Sequence, residues 1–469
     1  MTVSLLPMIK INMKFIKFLI ATFFLTVAPV YPAQPVIVTD LYSFVKSAMQ
    51  SDPRRHEQEL AVDKAKLRKT SLYNSAILPK LEISGAFGPA PAYTIKTNAA
   101  GISTEDYDFG NIGPFAGFEL KVLQPLNIPV FRKGVKAASC NVDITGLDLR
   151  KKDMELCRYL QEIYFKYLYA RQMATLAMGM KANLDKTIHK ADSLLDADDA
   201  GISQNDVFEL KSYSYKADDA IYQSEYGLGA AKKAMAFSLD VDSVEVDDSL
   251  LYLRQEKVPE CMELDTVLTS NHPDMKRLSL GIEAQKAMTD IAWNELFPDL
   301  FIVGSYKKTK SWNDRKNTMS DNTERLLDPY NKTSGSLGIG ARFNVNVWSA
   351  KDNYTKEKLE LDILESKTSY ALKGLLIEME NQYRKVQMYY KKQASAESSM
   401  NAANSWLKSA AMKYDLDPSQ AQALLKSYQR YIEVNRDYYE CVMNYDIAVA
   451  ELIAKIGLTL AEYNDKYGK

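Results

Sequence analysis

The sequence predicts a mostly α protein with a small membrane β portion, written twice along the chain, with two strands and one very long helical hairpin in each half. Three observations carry this. A nine-residue pattern recurs after about 220 residues, the strands it opens alternate between apolar and polar side chains, and proline-free stretches of roughly sixty residues follow each strand pair.

Of 469 residues, 46% are hydrophobic and 25% charged, the make-up of a folded chain. Lysine and arginine number 59 against 60 acids, so a net charge of -1 gives no global case for binding nucleic acid or an anionic lipid surface. Lys10, Lys14 and Lys17, the apolar run Phe18 to Val30 and then Pro32-Ala33-Gln34 have the layout of a secretory signal over residues 1–33. Met13 offers an alternative start, and Tyr31 is badly placed for a cut at Ala33. The run falls short of the roughly 20 apolar residues that a permanent transmembrane helix needs. No second long apolar run follows, so a membrane must be met by strands, and no cysteine follows the signal to carry a lipid. Cys140, Cys157, Cys261 and Cys441 lack Cys-x-x-Cys spacing, which argues against a metal site or a redox pair. Cys140 and Cys157 fall on one predicted helix, roughly 25 Å apart and out of disulfide reach, and read as small buried apolar residues.

The first repeat is expected over residues 39–258 and the second over 259–458, with 459–469 as a tail. Asp52-Pro53 opens a helical stretch that stops at Pro79-Lys80-Leu81-Glu82-Ile83-Ser84-Gly85-Ala86-Phe87. His272-Pro273 opens its counterpart, which stops at Pro298-Asp299-Leu300-Phe301-Ile302-Val303-Gly304-Ser305-Tyr306. Both read Pro-x-Leu-x-Ile-x-Gly-x-aromatic, and Leu210-Lys211-Ser212-Tyr213 returns as Leu425-Lys426-Ser427-Tyr428 at nearly the same offset.

Strands are expected at about 81–95, 115–127, 299–309 and 335–348. Leu81, Ile83 and Phe87 oppose Glu82 and Ser84, while Phe118, Leu120 and Val122 oppose Glu119 and Lys121. In the last strand Leu337, Ile339, Ala341, Phe343, Val345 and Val347 oppose Gly338, Gly340, Arg342, Asn344 and Asn346. Such strands suit a sheet over a core or a barrel with a wet lumen, and in a barrel Glu119, Lys121 and Arg342 are the lumen candidates. The segments Lys96 to Gly113 and Lys310 to Thr333, rich in Asn, Asp, Gly, Ser and Thr, read as exposed loops.

Long helical hairpins are expected over about 132–238 and 351–457. From Lys351 to Lys413 there is no proline and one glycine, Gly374, and Arg132 to Leu195 matches it; each would run roughly 95 Å. Leu361, Leu364, Thr368, Leu372, Leu375, Met379, Tyr383 and Val386 step by three and four, and a similar stripe from Leu424 to Ile456 demands side-by-side packing of coiled-coil type. The hairpin turns fall near Asp196 to Gln204, where Gly201 offers a left-handed position, and Tyr414 to Ser419, where Asp417 can cap a helix restarted by Pro418.

Four strands cannot close a barrel in lipid, because each unpaired backbone group at an open edge costs several kcal/mol there. Closure must come from other copies, and three chains give twelve strands, an even number within the range of outer-membrane barrels. The expected assembly is a homotrimeric 12-stranded β-barrel continued by a long periplasmic α-helical barrel. Pro79, Pro125, Pro129 and Pro298 sit at the expected helix-strand junctions, where a missing donor is tolerable.

From Leu41 to Gly457 the chain resembles the TolC-like outer-membrane efflux family. The resemblance rests on the two proline-led strand starts, Gln124-Pro125-Leu126 before the first long helix, the turn Ala200-Gly201-Ile202-Ser203-Gln204-Asn205-Asp206-Val207 and the late run Leu424-Leu425-Lys426-Ser427-Tyr428. It implies a trimer in outer-membrane lipid whose periplasmic helical tips form an entrance, dock to a periplasmic adaptor protein and an inner-membrane pump, proton-driven or of ABC type, and open by untwisting. The duct would serve efflux or type I secretion and conduct passively. Tyr414 matches the tyrosine of the family's tip network and Asp206 its first-repeat tip aspartate. The network's arginine position carries Ser419, and the positions of its ring aspartates carry Ala423 and Lys426, so a cation-binding ring is not implied there. Asp196, Asp198, Asp199, Gly201, Asp206, Tyr414, Asp415 and Asp417 are the entrance candidates; these acids would focus a field favourable to cations.

No cofactor, metal or catalytic set is expected. His56, His189 and His272 are isolated and read as solvated helix residues, and Gly338-Ile339-Gly340 lacks the third glycine of a nucleotide loop. Asp196, Asp198, Asp199 and Gly201 resemble a calcium loop, but Ala200 and Val207 stand where ligands should be. The rival expectation is a periplasmic coiled-coil scaffold with a small soluble sheet.

Overall fold

The structure, a computed structural model, describes residues 36–38, 40–97, 101, 103–196, 202–246, 258–313, 328–343 and 346–467; the expected signal lies outside the described residues. The first half runs β1 (Val36–Val38), α1 (Leu41–Ser51), α2 (Pro53–Ile77), β2 (Lys80–Thr97), β3 (Ser103–Pro125), α3 (Ile128–Asp196), α4 (Gln204–Leu239) and β4 (Val244–Val246). The second runs α5 (Cys261–Asn271), α6 (Pro273–Asn294), β5 (Asp299–Ser311), β6 (Thr333–Arg342), α7 (Val347–Leu416), a short 3-10 turn (Pro418–Gln420), α8 (Ala421–Lys455) and α9 (Leu460–Tyr467). Two helices, two strands, a helix of about 70 residues and one of about 35 therefore occur in this order twice.

The four long strands form one antiparallel sheet in the order β2-β3-β5-β6, so β3 of the first half is bonded to β5 of the second. All four meet their helices at one end of the sheet. At that end the Leu126 amide donates to the Leu300 carbonyl at 2.8 Å, the Gln124 amide to the Ala76 carbonyl at 3.0 Å and the Asn127 amide to Asp299 at 2.8 Å. Pro79, Pro125, Pro129 and Pro298 sit at these junctions, where no ladder or helix bond is lost.

Three expectations change. The segment Lys96 to Gly113, read as a loop, is largely strand: β2 pairs with β3 as far as Thr97 with Ser103, after a register shift between Pro91 and Ala92. A ladder needs only backbone donors and acceptors, so the Asp, Gly and Asn content did not end it. The last strand stops at Arg342 instead of 348, because the Asn346 side chain accepts the Ser349 amide and Val347 begins α7. Of the expected loop from Lys310 to Thr333, Lys310 and Ser311 likewise belong to β5 and Thr333 opens β6, and the rest is described only at 312–313 and 328–332. The parallel pair β1–β4 was not foreseen.

Contacts divide the chain into two compact units. One gathers the described residues of Met1–Asp52, Ile163–Leu253 and Ala402–Tyr439; the other those of Pro53–Glu162, Arg254–Asn401 and Glu440–Lys469. Each draws on both halves of the sequence. In the second unit, α3 and α6 are laced by Lys133 with Asp290, Lys136 with Glu283 at 3.4 Å and Lys151 with Asp274 at 3.0 Å. Cys140 and Cys157 are buried on α3, and no thiol is bonded to another.

His272 is a further correction: it is not solvated but 6% exposed, and its Nδ1 accepts the Asp274 amide as the cap of α6. Burial holds the imidazole below its ordinary value of 6.5. The folded chain thus binds fewer protons than the unfolded one, so this contribution to stability is intact above 6.5 and is lost as pH falls below it. We expect His272→Asn, which keeps a capping acceptor, to flatten the fall of the urea midpoint between about pH 7 and pH 5.

Candidate functional site: a two-faced sheet and a hairpin tip

The register places Leu81, Val122, Gly304 and Leu337 in one row, and Ile83, Leu120 and Tyr306 in the next but one. One face of the sheet therefore gathers Leu81, Ile83, Phe87, Phe118, Leu300 and Ile339, with Lys308 and Lys310 toward the end away from the helices. Among the described residues nothing covers these side chains: Phe87 is 81% exposed, Leu337 83% and Ile339 79%. On the opposite face Glu82, Lys121, Ser305 and Ser336 form one row and Ser84, Glu119, Lys307 and Ser334 another. Lys121 pairs with Glu119 at 3.2 Å, the Ser305 and Ser336 hydroxyls lie 2.8 Å apart, and Arg342 stands over the Phe301 ring at 5.5 Å. The three lumen candidates thus share the polar face.

A second feature lies in the other compact unit, where the ends of both long hairpins share one core. Leu184, Ile188 and Ala191 of α3 meet Val207 and Leu210 of α4, Ala410 and Tyr414 of α7, and Ala421, Leu424, Leu425 and Tyr428 of α8. Ser203 and Asp206 cap α4 reciprocally, each side chain bonded to the other residue's backbone amide. Asp417 accepts the Ser419 amide at 3.1 Å, and the serine's hydroxyl and amide hold its carboxyl below the ordinary range. Lys190 ties the hairpins together, reaching Asp415 at 2.7 Å and lying 5.4 Å over the Tyr414 ring. Tyr414 itself is 2% exposed and its phenol is pushed up by burial, with Asp415 and Asp206 adding to the effect.

Of the entrance candidates, Asp206, Tyr414, Asp415 and Asp417 are brought to this tip and Asp196 ends α3 exposed, whereas Asp198, Asp199 and Gly201 lie outside the described residues. The residues not singled out are Lys190, and Lys211, which pairs with Asp192 at 3.1 Å. Lys190 and its partner are 225 positions apart, so no local pattern announces them. Among the described residues no group of three metal-ligating side chains occurs. We expect Leu184→Ala, which truncates a fully buried side chain of the shared core, to cost about 3 kcal/mol and to speed amide exchange in both hairpin ends. Lys190→Met should cost no more than about 1 kcal/mol, its pair being half exposed.

No protein-family model matches the chain, and no curated protein matches it. Solved structures do. The open-state MtrE outer membrane channel of Neisseria gonorrhoeae is 15% identical, with a TM-score of 0.70 over 90% of this chain and 89% of its own. The CmeC outer membrane channel of Campylobacter jejuni is 13% identical, with a TM-score of 0.71 over 91% and 88%. CusC, described in terms of transmembrane channel formation, is 12% identical, with a TM-score of 0.70 over 92% and 96%. At these identities what is shared is architecture: the chain has the fold of the TolC-like outer-membrane channels.

Proposed function

We propose that the chain is one third of a duct in the outer membrane of a Gram-negative cell. The supporting observation is the sheet: one exposed apolar face, one face of paired charges and hydroxyls, and two outer edges, on β2 and β6, without strand partners among the described residues. Lipid would cover the first face and water the second, with the lysines Lys308 and Lys310 near a headgroup region. Pairing β6 of one copy with β2 of the next removes every edge, and three copies make the twelve-stranded closed barrel. The two long hairpins of each copy would continue the wall as a periplasmic helical barrel, with the tip around Tyr414 and Asp206 as its entrance.

Such a duct conducts passively and is not an enzyme. Its cargo would be delivered by an inner-membrane pump through a periplasmic adaptor; the likeness to channels such as MtrE and CmeC supports this reading. No helix among the described residues is long and apolar enough to cross a membrane, so insertion would rest on the strands.

Extraction separates the duct from the scaffold: a barrel leaves membranes only with detergent, whereas release by alkali would end the duct reading. We further expect Leu337→Arg, on the apolar face, to cost about 2–4 kcal/mol of insertion and deplete the assembled form. Lys121→Glu, on the polar face, should insert normally and shift single-channel selectivity toward cations in planar bilayers. Equal effects of the two substitutions on insertion would remove the distinction between the faces.

A further inference from the structure

The end of the sheet away from the helices does not leave the polar face open. Gly113, Phe115, Gly117 and Thr309 stand on the same face as Glu119 by their register, and a Cβ on Gly117 would lie 3.1 Å from the Phe115 ring and 3.4 Å from the Thr309 methyl. Two pieces of chain fold across this face. The Thr309 hydroxyl bonds to the carbonyls of Pro329 at 3.0 Å and Lys332 at 3.2 Å, and the Asn331 amide donates to Ser311 at 2.7 Å and to Asp328 at 2.9 Å. The Asn313 amide donates to the Ala90 carbonyl at 3.1 Å, passing so close that a Cβ on Gly113 would lie 2.1 Å from its oxygen.

On this framework four rings stand edge to face. Phe115 and Tyr330 are 5.4 Å apart, Tyr330 and Tyr107 6.3 Å, and Tyr107 and Tyr93 5.6 Å, at interplanar angles of 80°, 77° and 64°. These are favourable aromatic geometries. Thr309 and Asp328 beneath them are buried, while Tyr107 remains exposed.

We propose that this line of rings is a collar that narrows the far mouth of the duct and sets the size of what passes it. The inference rests on the duct reading: around a threefold axis, the face carrying Glu119 is the wall, and three copies of whatever stands on it converge. Hydrogen bonds anchor the turn carrying Tyr330 to β5, so the ring is held over the face and not free to swing away. Phe115 lies nearer the far mouth than Glu119, so a molecule entering from outside meets the rings first.

Glu119→Cys supplies a reporter thiol behind the collar, read above the background of the chain's own four cysteines. In intact cells a small charged thiosulfonate should label it whether or not the rings are present. A bulky polymer-linked maleimide should label it about tenfold faster once Tyr107→Ala and Tyr330→Ala are combined, because the constriction limits entry. Tyr107→Phe with Tyr330→Phe keeps the rings and should keep the polymer out. Equal polymer labelling with and without the rings overturns the collar. Failure of the small reagent to label any version overturns the duct itself. Assembly is checked on gels, and Tyr330→Ala alone carries the comparison if the double variant does not assemble.

Discussion

The outer edges of β2 and β6 are the constraint on which the remaining features depend. Each carries a row of backbone donors and acceptors with no strand partner among the described residues. In water such edges template uncontrolled pairing, and in hydrocarbon each open group costs several kcal/mol. The apolar face sharpens the demand, since Leu337 and Ile339 on it stand about four-fifths exposed. Under the proposed function, a sheet with two open edges, one apolar face and one polar face would be satisfied by closing on itself around water.

Between α3 and α6, electrostatics sets alignment more than stability. Lys133, Lys136 and Lys151 meet Asp290, Glu283 and Asp274 in opposite chain order, a register that a one-residue slip would break at every rung. Each pair is partly exposed and contributes little alone. Their contribution is to favour one antiparallel alignment of the two helices.

Much of this was legible because it is written in periodic form. Proline-led strand starts at Pro79 and Pro298, strict alternation from Leu81 and from Leu337, and long runs without proline each translate directly into local geometry. The four-stranded sheet, the two helices of about 70 residues and the turn capped by Asp417 follow from them. What was not legible depends on partners distant in sequence. The Asp- and Gly-rich stretch before Gly113 resembled a loop because composition reports side-chain preference, whereas its ladder is a backbone contract with β2. Asn346 ended the last strand by offering a cap where alternation alone would have continued. His272 reads as a surface residue from its neighbours alone, because its burial comes from packing that they do not encode. Lys190 and the ring of Tyr330 find their partners across 225 and 215 positions, and only the folded chain brings them together.

The exchange of partners between halves bears on how the molecule is made. Because β3 bonds to β5, and the ends of the first hairpin share their core with Tyr414, Leu424 and Leu425, the first repeat has no finished interior of its own. A nascent chain that has emerged only as far as the first repeat therefore presents a strand edge and a greasy helix flank that nothing yet synthesised can cover. Burial of that edge and that flank waits on the second half of the chain, so the order of synthesis leaves the first half exposed until its partners arrive.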